Sequence, residues 1–246
     1  NKTEHGVSYA RGLYEAGKAA MAEAALEGPI FGNVMPLLPS AGFMEGICDV
    51  AHFEWKSIGS YPGMPELGLP PRARSAYVIR RGEKLSNASY CWPSLYVPKH
   101  LSGTSHENLH KVMAFDALAN RGVMDYNHWY LDNYSPGSDA RAGYVNTFIK
   151  AIAPEISGRA YCADIGLVYC AWSNVAAIDA MSVRPERFLN EYKGWCDYLH
   201  NSHTQRDILL SSHVTLPELS RFKAVILPSV LVVTEGQAAA LQDYIA

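Results

Sequence analysis

Strand-like and helix-like segments alternate along this chain, and that alternation limits the fold more than any other feature. Residues from about Val7 to Leu26 are Ala-rich, with Leu13, Ala16, Ala20 and Ala24 at helical spacing, and Gly28-Pro29 stops the helix. Ile30-Phe31-Gly32-Asn33-Val34 follows as a short strand, and a Pro/Gly loop leads to a second, Asp49 to Trp55. After an irregular Gly/Pro-rich stretch, Ser75 to Arg80 reads as a third strand, with Tyr90-Cys91-Trp92 and Tyr96 on the long loop beyond it. Ser105 to Asn120 is a helix that buries Leu109, Val112, Met113 and Leu118. Gly122 to Tyr130 is a fourth strand, and Tyr144 to Ile152 a helix ended near Pro154. Such alternation is the pattern of βα units on a parallel sheet, so the fold class is α/β.

After Gly158 the apolar runs become denser. Ile165-Gly166-Leu167-Val168-Tyr169 is a buried strand. Pro185 opens a helix whose Phe188, Tyr192, Trp195 and Leu199 form one apolar stripe. Strands follow at Arg206 to Leu210 and Ala224 to Pro228, with a short turn or helix opening at Pro217 between them. Thr234-Glu235-Gly236-Gln237 matches a capping box and begins the last helix. The reading is two units, residues 1–158 and 159–246. Four strands lie in the first, and a (β/α)8 barrel needs eight, so a barrel here is the C-terminal half of one.

Strands of the first unit carry polar and aromatic residues in their second halves. Asn33 closes the first, His52, Glu54 and Trp55 the second, and Asp125, His128 and Trp129 the fourth. On a parallel sheet these ends share one mouth, and in α/β barrels that mouth holds the chemistry. Glu54 is the candidate catalytic carboxylate; its other reading is a surface partner for Lys56. Asn33, His52, Trp55, Trp92, Asp125, His128 and Trp129 are candidate substrate contacts, because flat aromatic faces and polar groups suit a carbohydrate. The histidines could equally be satisfied interior residues, and Trp92 and Trp129 core packing.

Composition excludes several other classes. A formal charge of −3 gives no electrostatic case for nucleic acid or an anionic membrane. No apolar run approaches a membrane span. Five scattered cysteines show no CxxC pair, and Asp49, His52 and His128 lack metal-ligand spacing, so no metal is expected. GxSxG, P-loop and GxGxxG patterns are absent, and no cofactor is expected. Reduced, scattered thiols favour a cytoplasmic location, although a chain that does not open on Met leaves room for an upstream segment.

The stretches Ala163 to Tyr169, the helix with Trp195 and Leu199, Arg206-Asp207-Ile208-Leu209, Phe222 to Pro228 and Thr234 to Gln237 together resemble the trimerisation domain of family 42 β-galactosidases and related glycosyl hydrolases. In that family the domain follows a (β/α)8 catalytic barrel and has a flavodoxin-like, class I glutamine amidotransferase-like fold. The resemblance implies hydrolysis of O-glycosyl bonds by carboxylates, a carbohydrate substrate and a homo-oligomer, a trimer if the family's assembly is kept. It also implies an acid/base residue on a strand upstream of Asn1. Two departures stand out. The family nucleophile closes strand seven, whereas Ser75 to Arg80 holds no Glu, and Glu83 lies beyond it. No Cys with a His/Glu pair marks an amidotransferase site. A non-catalytic carbohydrate-binding or assembly protein is the alternative reading.

Overall fold

The computed structural model describes residues 2–33, 45–56, 91–96, 111, 114–115, 118–119, 138–156, 162–173, 176 and 185–246. For 2–4, 33, 52–56, 91–96, 138–142, 185–189 and 193 it describes the backbone alone. The chain is mixed α/β, and its described strands form two separate parallel sheets.

Helix α1 spans Lys2–Glu23 and is followed by β1, Phe31–Asn33. It ends five residues before Gly28. Ala25 takes a left-handed φ of 52°, and the Leu26 amide donates back to the Met21 carbonyl at 2.8 Å. This is the backbone pattern of a Schellman closure, so the helix stops without a glycine. The side of α1 turned inward is Val7, Ala10, Tyr14, Gly17 and Met21, a 3-4-3-4 spacing, whereas Leu13 is 58% exposed and Ala16, Ala20 and Ala24 are exposed. The Leu13-to-Ala24 stripe is therefore not the packed one. Gly17 lies so near Ile30 that an added Cβ would stand 3.1 Å from Ile30 Cδ1. Hydrogen bonds from Tyr14 and Lys18 to Asp49 fix the same face.

Strand β2 is Val50–Lys56 and β3 is Cys91–Tyr96. The order is β1-β2-β3, every pair parallel, with Asn33 opposite His52, Trp92 opposite His52 and Glu54 opposite Ser94. Cys91–Tyr96 is thus a strand and not part of a loop. Pro93 hides it in the sequence, because proline is normally excluded from central strands; β3 is an outer strand among those described, where proline is tolerated. The expected strands at Ser75–Arg80 and Gly122–Tyr130 lie outside the described residues. Of the expected helix over Ser105–Asn120, the described residues 111, 114, 115, 118 and 119 are helical, with Ala114 and Leu118 buried. Helix α2, Ser138–Ile156, is longer than expected and contains Pro154. Proline removes a single amide donor, and the helix ends within two residues of it, so the loss falls in the last turn.

The second unit is built on β4, Ile165–Tyr169, then α3, Pro185–Asn201, and β5, Arg206–Leu210. A 3-10 turn over Ser211–His213, the short helix α4 (Leu216–Leu219), β6 (Ala224–Ile226) and α5 (Glu235–Ile245) complete it. Strand order is β5-β4-β6, all parallel. Strand β4 and the Ile208–Leu210 part of β5 are buried on both faces and are continuous apolar runs, whereas β6 is only partly buried and stops at Ile226, two residues short of the expected Pro228. On one face Val168 and Leu209 pack with Val214, Leu219, Phe222 and Ala240. On the other, the Tyr169 ring meets Tyr192 of α3 edge-on at 5.2 Å. The buried stripe of α3 is Tyr192, Cys196 and Leu199, with Trp195 only half-buried at its margin. The capping box of α5 forms as expected: the Gln237 amide donates to Thr234 Oγ1 at 3.2 Å, and the Thr234 amide to Gln237 Oε1 at 2.8 Å.

Candidate active site

Several of the residues singled out from sequence lie near one another in the register of the first sheet. Asn33 is the last residue of β1 and shares a register row with His52 and Trp92. Strand β2 continues four residues beyond that row, alongside β3 only. Glu54 stands two positions past His52, on the same face by the two-residue period of a strand, and about 7 Å farther along. Trp55 falls on the opposite face, opposite Leu95. By register Asn33, His52 and Trp92 form one row, at the end of β1 but in the first half of β2 and β3, with Glu54 two positions farther along β2 on the same face and Trp55 on the other. Asp125, His128 and Trp129 lie outside the described residues, as does Arg80. Ser94, level with Glu54, was not legible as a site position, because Pro93 masks the strand that carries it.

The N-terminal edge of this sheet holds a polar cluster of a different kind. Asp49 accepts from the Ile30 amide at 2.8 Å, from the Tyr14 hydroxyl at 2.6 Å and from Lys18 Nζ at 3.0 Å. Partial burial works to raise its pKa, but these three donors outweigh it and hold the carboxyl below its usual range. The Asp49 hydrogen bond in turn pushes the Lys18 ammonium up. Conversely, burial pushes the adjacent Cys48 thiol up despite the backbone bond to Gly32, so this cysteine is held in its unreactive protonated form. Asp49 immediately precedes β2, at the N-terminal end of the sheet, and His52 lies three residues on, about 10 Å along the chain. In barrels the N-terminal face serves stability and the C-terminal face chemistry, and the saturated bonding of Asp49 fits the former.

No protein-family model matches this chain, and no curated protein matches it. Among solved structures it is similar to the crystal structure of a GH5_18 from Bifidobacterium longum subsp. infantis, at 12% identity and a TM-score of 0.45, over 78% of this chain and 51% of that one. The chain spans about half the length of that protein. A likeness this distant carries no weight for the chemistry, which rests on the residues themselves.

In the second unit the edge at the strand ends is closed by its own side chains. Ser173 is fully buried and accepts from the Leu231 and Val232 amides at 2.8 and 2.9 Å. Cys170, just after β4, is buried and lies 3.2 Å from the Ser173 hydroxyl. It is packed within the fold and not presented as a nucleophile. Among the described residues no cluster of three or more His, Cys, Asp or Glu side chains could hold a metal ion. Among them, too, no helix is long and apolar enough to cross a membrane.

Proposed function

We propose that this chain contributes the C-terminal part of a (β/α)8 barrel related to family 42 β-galactosidases, and that the protein hydrolyses O-glycosyl bonds with Glu54 as a catalytic carboxylate. The observation that carries this is the order β1-β2-β3. Parallel strands that succeed one another in chain order are what a singly wound barrel has; on that reading Glu54, in the second half of β2, is the reacting group, and Asn33, His52 and Trp92, which share one register row, are the proposed substrate contacts. The carboxylate would act as nucleophile or as general acid/base, and the amide, imidazole and indole would hold the sugar. The order β5-β4-β6 supports a flavodoxin-like reading of the second unit, because a doubly wound sheet of that type runs 2-1-3. Self-association through this unit follows from the family resemblance; light scattering that finds only monomer for the complete protein would remove it.

One observation favours the second reading, a carbohydrate binder without catalysis. Glycoside hydrolysis ordinarily needs two carboxyl groups, and among the described residues of the three strands Glu54 is the acidic one. A panel of aryl glycosides, assayed with the protein expressed from its complete reading frame, separates the two readings. Turnover of any member supports the enzyme. Calorimetric binding of the corresponding free sugars with no turnover supports the binder, and neither binding nor turnover removes both.

A further inference from the structure

The two units meet at a point that the proposed chemistry does not use. Glu45 lies just ahead of β2, at the N-terminal edge of the first sheet. Ser212 and His213 lie just after β5, at the C-terminal edge of the second. Ser212 Oγ stands 2.5 Å from both oxygens of Glu45, and His213 Nε2 is 3.6 Å from Oε1. The residues are 167 positions apart.

Each end of this contact is held in place from behind. On the second unit, His213 Nδ1 accepts from the Leu210 amide at 3.3 Å, which directs Nε2–H toward Glu45. Gln237 Nε2, from the capping box of α5, donates to the Ser211 carbonyl at 2.7 Å, and Ser211 Oγ reaches the Tyr169 carbonyl at 3.4 Å. The turn is thereby tied to β4 and α5 as well as to β5. On the first unit, Gly46 turns the chain with a left-handed φ of 75°, a conformation that favours glycine. Ile47 and Cys48 are then buried, and Asp49 is pinned by α1 and Ile30. Between Glu45 and β2 there is no slack segment.

We propose that Glu45 is a latch that couples the two units, so that the 211–213 turn positions the segment entering β2. The latch occupies the strand-end edge of the second sheet, where open α/β sheets otherwise take ligands. This edge then serves as a docking edge for the first unit. The coupling does not depend on what Glu54 does.

Hydrogen exchange read by mass spectrometry on the whole chain tests it, with Ser212→Ala, Glu45→Gln and the double variant. Ser212 is exposed, so its replacement leaves the core of its own unit intact. The expected result is that Ser212→Ala speeds exchange by about tenfold in residues 45–50, including the Asp49 amide bonded to the Ile30 carbonyl, as well as in 211–213. Glu45→Gln should reproduce both changes, and the double variant should add nothing, since the two residues share one interaction. Ser212→Ala alone decides if Glu45→Gln fails to fold. Exchange that rises only in 211–213, or effects of the two single variants that simply add, would overturn the latch.

Discussion

Asp49 shows how one side chain can be legible as important yet not for the reason its neighbourhood suggests. It immediately precedes the strand that carries Glu54, and a carboxylate three residues from His52 invites a metal or catalytic reading. Three donors from α1 and Ile30 instead make it a brace between helix and sheet. Because its pKa is lowered on folding, its contribution is present above the unfolded value, about 3.9, and is lost as the pH falls through the folded value. Asp49→Asn should therefore cost about 1–2 kcal/mol at pH 7, allowing for solvent screening of the Lys18 partner. In urea melts the gap between variant and wild type should close in acid. A gap that is absent at pH 7, or unchanged below pH 3, would contradict the brace. Nothing in the sequence marks Tyr14 and Lys18 as its partners, since they lie 35 and 31 residues away and meet it only through the packing of α1.

Among the elements, legibility tracks burial. Strands β4 and β5 are legible at their observed bounds: β4 is an uninterrupted apolar run, and in β5 the run Ile208-Leu209-Leu210 follows Arg206 and Asp207, which are themselves buried. Likewise the Thr234–Gln237 box states the start of α5 in four residues. Elements failed to show where a local rule was overridden. Pro93 sits inside β3, Pro154 inside α2, and α1 turns the Val7-to-Met21 side inward, where Gly17 admits Ile30, in place of the Ala-rich stripe. Gly166 is a similar close approach within the second sheet: a Cβ there would lie 3.0 Å from both Leu209 Cδ1 and Phe222 Cδ2. Those side chains belong to a closed core, so Gly166→Ala should destabilise by about 1–3 kcal/mol through overpacking. A melting temperature equal to or above that of wild type would show that the core has room the structure does not.

At the scale of the whole molecule, composition and alternation reveal α/β, but strand order is invisible to both. Neighbouring residues say nothing of which strand lies beside which; that is decided by crossover paths and by which faces find cover. The observed orders differ between the units: sequential in the first sheet, reversed about β4 in the second. In the second sheet Ser173 and the 211–213 turn fill the edge at the strand ends. For the first sheet, the proposal is that Glu54 is a catalytic carboxylate. Its most direct test is turnover by Glu54→Gln in the complete protein on whichever glycoside the wild type hydrolyses, with a melting curve beside it. The predicted result is a fall in kcat of at least about 10²-fold with the melting temperature little changed. Turnover within about twofold of wild type, with stability lowered by no more than the roughly 0–1 kcal/mol of a surface pair with Lys56, would contradict it.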